Sequence, residues 1–120
     1  MTNYDSKPSI LEAKGNGSYF YRWDIKEISR EQEGNLVKSY DCEEVTIWSP
    51  LNKDKVKLAV INYMWGNNHE QKLINEYNSA KLGLFNEEEN AVKIKAYEDF
   101  LRKRVEIKQM VDDDFKELGL

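Results

Sequence analysis

The sequence predicts an α+β domain: an antiparallel β-hairpin, bulged near Glu43, followed by three helices that pack on one face of it. Three observations predict this class. Tyr19, Tyr21, Trp23 and Ile25 alternate with Phe20, Arg22, Asp24 and Lys26, which is the period-two pattern of a half-buried strand with aromatic enrichment. From Val56 the period becomes helical, with Val56, Ala59, Val60, Tyr63 and Met64 on one face. Strands come first and helices after, which indicates α+β and not alternating α/β.

Residues 1–16 carry Pro8, Gly15, Asn16 and scattered charge without a period, so they are expected to be a flexible arm. Residues 17–120 are expected to form the single domain. The first strand starts at Tyr19. The polar stretch from Ser29 to Asn35, with Gly34, reads as a turn longer than the two-residue type. The second strand runs from about Leu36 to Trp48. Tyr40 and Cys42 share one parity, and Val45 and Ile47 share the other. A bulge at Glu43–Glu44 would bring all four to one face.

Asn52 is the expected cap of the first helix, with Leu51 and Val56 at the positions of a hydrophobic staple. Ser49 as cap with Pro50 at the first helical position is the alternative start. The second helix begins with a capping box, either Asn67 with Glu70 or Asn68 with Gln71. It buries Leu73, Ile74, Tyr77 and Ala80 and stops near Gly83. Asn86 ahead of Glu87, Glu88 and Glu89 opens a long third helix. Its buried face is expected along Ile94, Tyr97, Leu101, Val105 and Lys108, broadened by Phe100, Ile107 and Val111. Asp112, Asp113 and Asp114 oppose the helix dipole, so the helix is expected to break or fray there.

The chain has 120 residues, of which 40% are hydrophobic and 33% charged. That is enough apolar content to fold. The net charge is -4, from 18 basic and 22 acidic residues, which argues against broad phosphate-backbone binding. Cys42 is the single cysteine, so no internal disulfide forms, as in a reducing compartment. Without a signal-like or membrane-spanning apolar stretch, the expected location is the cytoplasm, with no membrane partner.

Few residues offer chemistry. His69 is the only histidine, and a zinc site would have to combine it with Cys42 and carboxylates. A surface histidine at a helix start is the simpler reading. Cys42 lies among Asp41, Glu43 and Glu44, which suppress a thiolate. The two acidic triplets splay around their helices and cannot converge on one ion. Gly15-Asn16-Gly17-Ser18 precedes a strand, the wrong context for a phosphate loop. No catalytic residue, metal, cofactor or small-molecule substrate is inferred, and the chain is not expected to be an enzyme.

The seven Tyr, four Phe and three Trp exceed what a thin core needs. Tyr19, Tyr21, Trp48 and Trp65 are therefore the expected protein interface, because aromatic residues are enriched at interface hot spots. A protein partner or self-association is expected. The alternative is a nucleic-acid-linked regulator using Arg102, Lys103 and Arg104 with Lys95 and Lys108, but Glu98, Asp99 and Glu106 interrupt that face.

The strand Tyr19-Phe20-Tyr21-Arg22-Trp23-Asp24-Ile25, the strand with Tyr40, Cys42, Glu44 and Val45, and the helix with Asn75-Glu76-Tyr77-Asn78 resemble uncharacterised short prophage and phage-element proteins of Bacteroides-type bacteria. The resemblance covers about residues 19–105. It implies a noncatalytic accessory protein of a prophage or mobile element, engaged in protein interaction or particle assembly. It carries over no catalytic residues.

Overall fold

The structure, a computed structural model, describes residues 1–66 and 68–120. The elements are β1 (Thr2–Tyr4), β2 (Leu11–Ala13), β3 (Ser18–Gln32), β4 (Asn35–Trp48), α1 (Lys53–Trp65), α2 (His69–Lys81) and α3 (Glu87–Glu117). An antiparallel sheet followed by three helices makes the chain α+β. It divides into two compact units, Met1–Ala59 and Val60–Leu120.

In the first unit the sheet has four strands in the order β1-β4-β3-β2. The segment expected to be a flexible arm supplies both outer strands. Thr2 and Tyr4 pair with Cys42 and Tyr40, and Leu11 and Ala13 pair with Tyr21 and Tyr19. Because β1 and β2 lie on opposite edges, residues 5–10 must cross the sheet. The crossing spans three inter-strand spacings, about 14 Å, which is within reach of six residues.

The long turn expected between the central strands is a two-residue turn. Gln32 pairs with Asn35, and Glu33 and Gly34 have φ of 53° and 79°. Both values are positive, as a type I′ turn requires.

The expected bulge lies on the opposite strand. Trp23 pairs with Glu43 and Lys26 with Asp41, so Asp24 and Ile25 together oppose Cys42. Asp24 has φ 51°, a left-handed conformation that Asp accepts more readily than most residues. β4 itself stays regular, and its two parities face opposite sides of the sheet. Cys42 and Ile47 are both buried nonetheless, so both faces are covered and β4 needs no bulge to hide its apolar residues.

α1 starts at the expected cap: Asn52 Oδ1 accepts from the Lys55 amide at 2.9 Å. In the second unit α2 and α3 run antiparallel, with Glu70 paired to Arg104 and Glu76 to Lys93. Asn68 caps α2 without a side-chain hydrogen bond. Gln71 donates to Asn75 instead, so the Asn68–Gln71 capping box does not form; Asn67 lies outside the described residues. Asn86 forms its box with Glu89, accepting from the Glu89 amide at 2.8 Å and donating to its carboxylate at 3.0 Å.

α3 does not break at the three aspartates. It continues to Glu117, because Val111 and Phe115 on either side of them are buried and apolar burial outweighs an unfavourable charge near the terminus. The buried stripe is Phe100, Ile107, Val111 and Phe115. The expected face through Leu101 and Val105 is instead exposed, Val105 at 65%.

Candidate interaction surface

One residue from each strand converges on a single guanidinium. Arg22 of β3 is 1% exposed. Its Nε donates to Glu44 of β4 at 2.7 Å, its Nη2 to Glu12 of β2 at 2.8 Å and to the Tyr4 hydroxyl of β1 at 3.0 Å, and its Nη1 to the Ser9 carbonyl at 3.1 Å. Tyr4 in turn donates to Glu44. The guanidinium also lies over the rings of Tyr4 and Phe20. Tyr4 immediately precedes the crossing segment and Ser9 lies within it, so Arg22 pegs that segment to the sheet.

The electrostatics of this cluster are mutual. Burial works against the Arg22 charge, but hydrogen bonds to Glu12, Glu44 and Tyr4 together raise its pKa. The hydrogen bond from Arg22 holds Glu12 below the ordinary carboxylate value. Burial, with Glu44 adding to it, raises the Tyr4 phenol. Burial likewise raises the Cys42 thiol, with Glu44 adding to it, which opposes thiolate chemistry. The donors of Arg22 are spent on the chain itself, so the cluster is a clasp within the fold. Sequence reasoning placed Arg22 on the polar side of β3 and missed it.

The expected interface aromatics are dispersed. Tyr21 is fully buried and stacks on Trp23 with ring centroids 5.8 Å apart, so it has no surface to offer a partner. Tyr19, opposite Ile47, is half-buried. Trp48, on the other face of the sheet, is 61% exposed. Trp65, in the second unit, is half-buried, edge-on to Phe100 at 4.7 Å and stacked with His69 at 6.4 Å. His69 is thus an aromatic packing partner at a helix start.

A more continuous surface lies elsewhere in the first unit. β1 reaches only Tyr40, and β2 reaches only Tyr21, with one further bond from the Arg22 amide to Ile10. Beyond them β3 and β4 continue as a two-stranded ribbon to the turn at Glu33–Gly34. Among the described residues, the outer edges from Lys26 to Gln32 and from Asn35 to Lys38 have no strand beside them, whereas Ser39 is buried and accepts from Asn3 of β1 at 3.2 Å. Leu36 and Val37 are 68% and 45% exposed on this ribbon. The sequence signal was present: two adjacent apolar residues one position past the Glu33–Gly34 turn in an otherwise polar stretch.

On α3, Lys95 pairs with Asp99, Arg102 with Glu98 and Asp99, Lys103 with Glu106, and Arg104 with Glu70. Local carboxylates thus match most of the basic face considered for nucleic acid. Among the described residues, no cluster of three or more His, Cys, Asp or Glu side chains could hold a metal, and no helix is long and apolar enough to cross a membrane. No protein-family model, curated protein or solved structure matches this chain.

Proposed function

We propose that this chain is a noncatalytic protein-interaction or assembly accessory protein that engages its partner through the β3–β4 ribbon. The observation that carries this reading is the ribbon itself. Its backbone edges are open, and Leu36 and Val37 stand exposed on it. Open strand edges recruit another chain by main-chain hydrogen bonding, and adjacent side chains supply selectivity. Origin in a prophage or mobile element is part of the proposal and rests on the resemblance of residues 19–105.

The test compares the tagged native chain with Lys38→Pro, which removes an amide on the β4 edge. Lys38 is exposed; its strand partner on β3 is Ser29, and its ammonium pairs with Glu27 at 3.6 Å. Both are used to capture proteins, including untagged copies of the chain, from host lysate. Proteins held by the native chain and lost by the variant support the reading. Capture unaffected by the substitution, or no capture at all, overturns it.

A further inference from the structure

We infer that the partner of the ribbon is a second copy of this chain, joined β4 to β4 about a two-fold axis at Val37. The inference rests on the interaction role proposed above and names its partner.

The backbone register decides which groups are available. Gln32 and Asn35 close the two-residue turn, and the residues flanking such a turn form a hydrogen-bonded pair. Backbone groups then alternate along β4. Asn35, Val37 and Ser39 turn theirs toward β3, and Leu36 and Lys38 turn theirs outward. Tyr40, next in the outward series, is the residue that pairs with Tyr4 of β1. The N–H and C=O of Leu36 and Lys38 are therefore the open positions of this edge.

These groups are self-complementary. About an axis at Val37, Leu36 of one copy meets Lys38 of the other, twice, and each pair can exchange two hydrogen bonds. Side-chain faces agree, since an antiparallel pairing centred on a residue keeps each row on one face. Val37 meets Val37, and the Lys38 stem lies over Leu36, which is otherwise 68% exposed; Ser39, buried and bonded to Asn3 of β1, closes the row. Lys38, whose ammonium pairs with Glu27 of its own chain, also enters the row of Glu31, the neighbour of Leu36 on β3. No like charges are opposed.

The β3 edge behaves differently. An axis at Lys26, Glu27, Arg30 or Glu31 sets that residue against itself. An axis at Ile28 opposes Lys26 to Arg30, and one at Ser29 opposes Glu27 to Glu31. Every symmetric register of that edge between residues 26 and 31 thus places like charges face to face, which destabilises pairing. Only the β4 edge carries the apolar pair and a permissive charge pattern. Its free length, Asn35–Lys38 ahead of the buried Ser39 that accepts from Asn3 of β1, sets the extent of the contact. So small a contact belongs at the weak end of interfaces, and the dimer should form in proportion to concentration.

The test is Val37→Cys in the full chain under mild oxidation. Cα atoms of a non-hydrogen-bonded antiparallel pair lie about 4.5 Å apart, inside the disulfide range of roughly 4.4–6.8 Å. The native chain controls for Cys42, which is buried, and Arg30→Cys, beside Val37 on β3, controls for collision. The expected result is disulfide dimer from Val37→Cys at least tenfold faster than from Arg30→Cys. Light scattering of the native chain should show dimer rising with concentration, and Val37→Lys should abolish it. A folded Val37→Cys chain that cross-links no faster than Arg30→Cys overturns the inference, as does a monomer at every concentration. If lysate proteins are still captured in a Lys38→Pro-sensitive way, self-pairing alone has failed and the interaction role stands.

Discussion

Arg22 and Glu44 are direct cross-strand neighbours, with Nε 2.7 Å from Oε1 and the guanidinium almost wholly buried. Through that pair the central hairpin holds both outer strands, because the same guanidinium also binds Tyr4 and Glu12.

Arg22→Met should therefore destabilise the fold by about 3 kcal/mol, the lower end for breaking a buried ion pair. The lower end applies because Glu12, half-exposed, can return to water, whereas Glu44 stays mostly enclosed. Arg22→Lys should recover little, since an ammonium lacks the fork that reaches all the partners. Urea denaturation followed by circular dichroism checks both. A midpoint unchanged from the native chain would contradict the clasp.

The clasp should weaken in acid. Arg22 lowers the Glu12 pKa in the folded chain below its ordinary 4.5. The ionised carboxylate thus adds stability above pH 4.5, and this is lost as pH falls through the folded value. Glu12→Gln should be less stable than the native chain at neutral pH, and the gap should narrow below that window. Urea midpoints at a series of pH values measure the gap.

The position of the α3 core can be read from two substitutions. Phe100, 4% exposed against Trp65 and His69, should cost about 3–5 kcal/mol on replacement by Ala. Val105→Ala should change stability by less than about 0.5 kcal/mol, as for other surface sites. Equal losses at the two positions would mean that the helix is rotated from the orientation described.

Two asparagines at helix starts should behave unequally. Asn86→Ala removes a cap that bonds the Glu89 amide and should cost about 1 kcal/mol. Asn68 makes no such bond, so Asn68→Ala should be nearly neutral. Thermal unfolding of both variants makes the comparison.

The sequence by itself determined what depends on near neighbours. The alternation from Tyr19 to Trp23 specified a strand. The helical period from Val56, the caps at Asn52 and Asn86 and the stop before Gly83 marked the helices, since capping and periodicity act within a few residues. The order of these elements gave the α+β class. Only the tertiary structure decided what depends on distant partners. Thr2–Tyr4 and Leu11–Ala13 are too short to display a period, and they become strands by pairing with Tyr40–Cys42 and Tyr19–Tyr21. Arg22 looked like a solvent-facing residue until the crossing segment covered it. The slip in β4 suggested a bulge because one face was assumed wet; with both faces covered, the irregularity moved to Asp24 and Ile25 on the facing strand. The stripe of α3 through Phe100, Ile107, Val111 and Phe115 was chosen over Leu101 and Val105 in the same way. A helix with apolar residues on more than one side carries no local signal of which side its neighbours will cover.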